Sequence, residues 1–172
     1  MMNKKELSDN LLNILPRERL GFTPIELLSY GYDGTRRIAL PDAVARVINT
    51  AEVSFILQFA NTNGVPVVPR GAATNLTGGA LALHGGIALD FTLMNKLISI
   101  DSENLTATVE AGVVVADLQR EVERRGLFYP PDPASNEFST IGGNIAEGAG
   151  GIRGLKYGVT RDFVLGLEAV AA

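Results

Sequence analysis

The chain has 172 residues, 46% apolar and 20% charged, with a net charge of −4, one histidine and no cysteine. That length suits one domain or two small ones around a buried core, and the acidic balance argues against a nucleic-acid surface. The lack of cysteine excludes disulfides, thiolate metal sites and a cysteine nucleophile, and one histidine leaves most metal and histidine-based schemes without ligands.

In chain order, Met1-Met2-Asn3-Lys4-Lys5-Glu6 opens a polar, amphipathic stretch rather than an apolar signal core. No apolar run reaches the length that spans a bilayer, so a reducing, cytoplasmic setting is expected. Residues 4–15 read as a helix with Leu7, Leu11, Ile14 and Leu15 on one face, ended by Pro16. Pro24 starts a second short helix. Ala43–Ile48 reads as a strand. Asn49 or Thr50 then caps a helix to about Asn63 that buries Val53, Ile56, Leu57 and Ala60, and Gly64 closes it. Val65–Val68 reads as the next strand, which completes a strand–helix–strand unit. The segment from Pro69 onward, PRGAATNLTGG, leaves its carboxyl end, where open α/β sheets bind ligands.

Gly86–Phe91 reads as a buried strand, and Leu97–Asp101 with Leu105–Glu110 as a hairpin around Ser102-Glu103-Asn104. Val114–Arg125 is an amphipathic helix with Val115, Leu118 and Val122 inward, closed by Gly126. Tyr129-Pro130-Pro131-Asp132-Pro133 is rigid and irregular. Thr140–Ala146 reads as a tight helical turn, Gly148–Gly158 as a glycine-rich stretch, and Phe163–Val170 as a strand that looks cut short.

The 19 glycines cluster in 71–86 and 142–158, and such clusters let backbone approach a ligand closely. A loop of small residues leaves successive N–H groups uncovered, a concave site for phosphate. Arg70 adds a charge; Thr74, Asn75 and Thr77 add short donors. Neither common phosphate motif is present. No Gly-x-x-x-x-Gly-Lys-Ser/Thr string exists, since Lys156 precedes Tyr157, and Gly148-Ala149-Gly150-Gly151-Ile152-Arg153 fails the dinucleotide fingerprint at its last position.

Six strings in fixed order, PVVPRGAATNLTGG, LDFTLMNKL, VEAGV, PPDPAS, TIGGNIAEGAGG and KYGVTRDFVLGLE, resemble the FAD-binding domain of the vanillyl-alcohol-oxidase (PCMH-type FAD-linked oxidase) family. Its glycolate oxidase D subunit and FAD-linked D-lactate dehydrogenase branch is the most similar. The resemblance implies an α+β fold of two small α/β lobes, C-terminally truncated here. It divides the chain into an N-terminal helical segment, 1–31, a first lobe, 32–102, and an incomplete second lobe, 103–172, with the break near residues 100–112. It makes Pro69, Arg70, Gly71, Ala72, Ala73, Thr74, Asn75, Leu76 and Gly78 the pyrophosphate loop. Pro131 and Asp132 are expected beside the flavin. Thr140, Ile141, Gly142, Gly143 and Asn144 form a second cofactor-contacting turn, and Gly150, Gly151, Tyr157 and Gly158 a stretch closing over the cofactor. A small 2-hydroxy acid is the implied substrate. Partner subunits are implied as well, with location cytoplasmic or peripheral to a membrane through them.

The sequence departs from the family's pattern in three places. Glu147-Gly148-Ala149-Gly150-Gly151 replaces the Glu-Asn-Ala-Gly-Gly of many relatives. Thr74 stands where covalent-flavin members carry histidine, so FAD is expected to bind noncovalently; His84 reads as an exposed loop residue. The substrate domain that carries the family's catalytic constellation is absent, and Asp132, Glu147 and Asp162 read as solvated or capping carboxylates, so no catalytic or metal residue is assigned and the chain is expected to be inactive by itself. Two other readings stand beside this one: a distant relative such as UDP-N-acetylenolpyruvoylglucosamine reductase, and a non-catalytic module that binds a nucleotide or a partner subunit.

Overall fold

The computed structural model describes residues 2–171. The chain forms two compact units: one runs to Leu93 and takes back the segment from Glu168, and the other is Met94–Leu167. The boundary falls between Leu93 and Met94 rather than at 100–112, so the hairpin that follows stays whole.

The first unit contains α1 (Lys4–Leu12), a single 3-10 turn at Arg17–Arg19, β1 (Leu20–Gly21), α2 (Pro24–Ser29), β2 (Ala43–Arg46), α3 (Thr50–Asn63), β3 (Val67–Arg70) and β4 (Ile87–Asp90). Its sheet has the order β1-β2-β4-β3. β1 runs antiparallel to β2, and β2, β4 and β3 are parallel in the register Arg46–Asp90 and Arg70–Asp90. The strand–helix–strand unit is therefore split, with β4 inserted between its strands. β4 is buried at every position, as a central parallel strand covered on both faces must be. Val44, Val47, Ile56, Ile87 and Leu89 fill the core, each no more than 2% exposed.

Local chemistry sets the helix ends. The Asn49 side chain accepts from Glu52 N at 2.9 Å, and Gly64 takes the left-handed conformation after α3. α1 is shorter than its apolar pattern: it stops at Leu12, while Leu15 is buried beyond it. α2 carries a capping box in which Glu26 accepts from Thr23 N at 2.8 Å, Phe22 N at 2.9 Å and Thr23 Oγ1 at 2.8 Å. These bonds hold the Glu26 carboxyl at about 2, against a usual 4.5. A carboxyl depressed on folding stabilises above its unfolded value, and that contribution fades as pH falls through the folded one. The α2 cap is therefore intact at pH 4, and an NMR titration of Glu26 is expected to show its midpoint near 2. A midpoint at the usual value would show that the box does not form.

β3 lies two residues later than the Val65–Val68 reading and takes in Pro69 and Arg70. Proline is tolerated there because β3 is an edge strand. Arg70 O accepts from Phe91 N and Pro66 O from Ile87 N, so alternate residues of the strand bond to β4 and Pro69 falls between them.

The second unit contains β5 (Leu97–Asp101), β6 (Thr106–Val109), α4 (Val115–Glu123), α5 (Ile141–Glu147) and α6 (Gly154–Tyr157), followed by a 3-10 turn at Thr160–Phe163. β5 and β6 form an antiparallel hairpin with a register shift between Leu97 and Ser99. The Asp101 carboxylate closes its turn, accepting from Glu103 N and Asn104 N. Val113, Val115, Leu118, Val122 and Ile141 form the core, with Leu97, Ile100, Val109 and Tyr129 against it. The run after Phe163 is not the strand its apolar pattern predicts. It finds no ladder partner among the described residues, and Leu165 and Leu167 are 84% and 65% exposed. Strand propensity is expressed only against a neighbouring strand.

Candidate functional site

Residues of the expected site lie in both units. In the first, residues 71–78 leave the carboxyl end of β3 with neither helix nor strand. Among the described residues, no backbone N–H from Ala72 to Leu76 donates to a protein acceptor. Ala73 takes a left-handed φ of 53° and Gly78 one of 84°, the kind of backbone turn from which concave anion sites are built. Thr74 and Ala72 are exposed, and Leu76 is 77% exposed.

Arg70 does not face outward. It is 7% exposed, and its guanidinium donates to Tyr30 O at 3.2 Å and Ala80 O at 3.3 Å. It also lies over the Tyr30 and Tyr32 rings, 5.3 and 5.9 Å from their centroids. Burial lowers its pKa, the Asp90 and Asp33 carboxylates work against that, and it stays a cation at neutral pH. Its charge-assisted bonds therefore go to protein carbonyls, Ala80 at the far end of the loop and Tyr30 after α2. Below it, Tyr30 donates its hydroxyl to Asp90 Oδ2 at 2.5 Å, and Asp90 Oδ1 accepts from Thr92 N. Burial and then Asp90 push the Tyr30 hydroxyl far above its usual range.

In the second unit the expected residues gather around α5. Thr140 is its N-cap and accepts from Gly143 N at 3.3 Å. Ile141 N donates to Val113 O and Gly142 N to Ala111 O, both at 2.8 Å. Those two amides are spent on the protein's own backbone. Asn144, 3% exposed, has a side-chain Nδ2 with no partner among the described residues, and so does the Ser139 hydroxyl beside the cap. A buried donor left unpaired costs about 1–3 kcal/mol, so a bound water or a ligand atom is expected to take it.

Gln119, on the buried face of α4, donates to Pro131 O at 2.8 Å and Tyr129 O at 3.4 Å, which fixes the proline-rich segment. Asp132 N then donates to Gly150 O at 2.9 Å, and Asp132 bridges Gly151. The Asp132 carboxylate accepts from Asn136 at 2.8 Å and meets Arg153 at 3.4 Å. Pro131, Asp132, Gly150 and Gly151 are thus one contact. Gly158 ends α6 beside Tyr157, whose ring meets Phe128 edge-on at 5.6 Å. Thr160, 1% exposed, donates to Ala149 O and anchors the glycine-rich stretch. Sequence reasoning passed over Tyr30, Asp33, Asp90, Gln119 and Thr160. Only Asp33 carried a local signal, an Asp-Gly turn pair.

His84 is exposed, as expected, and no group of three or more His, Cys, Asp or Glu among the described residues could hold a metal ion. No helix among them is long and apolar enough to cross a membrane. Taken unit by unit, the residues fit parts of a cofactor: in the first, a run of open amides suits phosphate oxygens; in the second, an unpartnered amide donor suits a polar acceptor.

This geometry is that of an FAD domain, and the chain belongs to the FAD binding domain family, whose pattern matches residues 41–172. It is 50% identical over 172 residues to the glycolate oxidase subunit GlcD of Bacillus subtilis, covering 99% of this chain and 37% of that protein. It is 41% identical over 149 residues to a D-lactate dehydrogenase of Anaerostipes hadrus, covering 87% of this chain and 30% of that one. Among solved structures, 6-hydroxy-D-nicotine oxidase from Arthrobacter nicotinovorans superposes with a TM-score of 0.72 at 26% identity, over 87% of this chain and 32% of its own. An alkyldihydroxyacetonephosphate synthase, at 24% identity and a TM-score of 0.80 over 94% of this chain and 32% of its own, shares the fold. The chain spans about a third of the length of the curated relatives it matches.

Proposed function

We propose that the chain is the FAD-binding part of a flavin-dependent 2-hydroxy-acid oxidoreductase of the glycolate or D-lactate type. The observation that carries this reading is the run of unpartnered amides from Ala72 to Leu76 at the carboxyl end of a parallel strand. In the first unit, the backbone of residues 71–78, with Thr74 and Asn75, holds the cofactor diphosphate, and Pro69 and Arg70 set where that loop begins. In the second, Pro131 and Asp132 flank the flavin, and Thr140 to Asn144 supply a second contact in which Asn144 Nδ2 donates. Gly150, Gly151, Tyr157 and Gly158 cover the cofactor. Bound FAD supplies the hydride acceptor for oxidation of the substrate's α-carbon. The residues of this chain bind and orient it. Proton transfer and substrate-carboxylate binding are assigned to groups outside residues 1–172, because the carboxylates near the site are engaged in local bonds. Location is cytoplasmic, or peripheral to a membrane through partner subunits, in keeping with a chain free of cysteine.

FAD fluorescence quenching on titration with the protein tests the binding. Saturable quenching is expected, and none at high protein concentration would sink the reading. Thr74 offers no ring nitrogen for a flavin link. Acid precipitation of the FAD-loaded protein is therefore expected to leave all yellow colour in the supernatant; colour in the pellet would mean another residue forms the bond.

A further inference from the structure

Open amides bind an anion tightly only if their directions are fixed before it arrives, and residues 71–78 have no ladder or helix to fix them. One short segment does this instead. Asp33, 7% exposed, accepts from Thr35 N at 2.8 Å and Thr35 Oγ1 at 2.6 Å through Oδ1, and from Asn75 Nδ2 at 3.1 Å through Oδ2. Next to it, Gly34 N donates to Asn75 O at 3.0 Å, while Tyr30 O takes Arg70. The segment 30–35 thus holds the start and the middle of the loop.

We propose that Asp33 is a positioning residue for the cofactor: it ties Asn75 down so that the amides of Ala72–Leu76 stay open to a ligand. The inference rests on the FAD reading for its ligand. A carboxylate near a diphosphate opposes it electrostatically, so its presence needs a reason, and the reason is acceptor number. Three donors converge on Asp33, two on Oδ1 and one on Oδ2, and only a carboxylate offers an acceptor oxygen on both sides. Burial works to raise its pKa, but the Thr35 and Asn75 bonds outweigh it and keep the group ionised. The buried Arg70 cation offsets its charge.

Asp33→Asn keeps the shape and turns one acceptor into a donor facing donors. The expected result is an FAD Kd raised about tenfold, because the binding-competent loop is less populated. In the FAD-free chain, the backbone order parameters of residues 72–76 are expected to fall into the flexible range, below about 0.6, with those of α3 and β4 unchanged. That NMR arm needs no cofactor, so it fails or succeeds apart from the functional reading. Unchanged order in 72–76, or an unchanged Kd in a chain whose wild type binds FAD, overturns the proposal. Should Asp33→Asn fail to fold, Asn75→Ala cuts the same tie from the loop side. The same local loss of order in the FAD-free chain then supports the proposal, and a loop as rigid as the wild type's overturns it.

Discussion

Valine at position 143 is expected to raise the Kd for FAD at least a hundredfold, about 2.7 kcal/mol, in a protein that still folds. The argument rests on the difference between two adjacent glycines of α5. A Cβ on Gly142 would stand 2.9 Å from both the Cβ and the carbonyl oxygen of Ala111. That glycine serves packing, and its amide is already bonded to Ala111 O. A Cβ on Gly143 would meet only Thr140 Oγ1, at 3.2 Å, and otherwise open space. Valine there needs only a small shift of a hydroxyl, and its two methyl groups occupy the space assigned to the cofactor. Fluorescence quenching gives the affinity, and far-ultraviolet circular dichroism with thermal unfolding gives the fold. Near wild-type affinity would remove the 140–144 turn from the site. Gly142→Ala is the control of opposite kind, losing stability first.

The second large effect belongs to Gly151. Its φ is 78°, and an added Cβ would run into the Asp132 carbonyl and come within 2.7 Å of Pro133 N. Both neighbours are backbone and cannot swing away. The Asp132–Gly151 bridge, with Asp132 N bonded to Gly150 O at 2.9 Å, would have to open. Gly151→Ala is expected to cost about 3 kcal/mol or more, from an unfavourable φ together with a backbone clash. A urea unfolding midpoint shifted down at unchanged slope measures this. A stability within about 0.5 kcal/mol of wild type would show that the bridge does not form in solution.

Much of the first unit was legible because its signals are local. The Asn49 cap, the spacing of Val53, Ile56 and Ala60, and Gly64 mark α3 within a residue. The loop after β3 was legible as small residues beyond a strand. What escaped depends on distant partners. Val65–Val68 was read two residues early because Pro69 looks like a stop, and only the sheet order reveals an edge where proline fits. Phe163–Val170 has a strand's composition without a strand's neighbour. Arg70 was read as a phosphate ligand because its chemistry suits one; its inward turn is set by the carbonyls of Tyr30 and Ala80. Asp33 meets Asn75 across forty-two residues of sequence, a separation at which one chain read alone carries no signal.

Pro69 has a consequence outside the cofactor. The sheet of the first unit has two edges, one formed by the two residues of β1 and the other by β3. An edge strand offers its free amides and carbonyls to any extended chain, the route to fibrils and runaway strand addition. β1 is too short to template such growth. On β3, residues 66 and 70 spend their carbonyls on β4, so position 69 is one whose amide would face solvent, and proline has none to give. The outer row of donors is interrupted in the middle of the strand. The residue that opens the loop thereby also guards the sheet against self-association, and replacing it with valine would expose a β-branched edge open to recruiting a second copy.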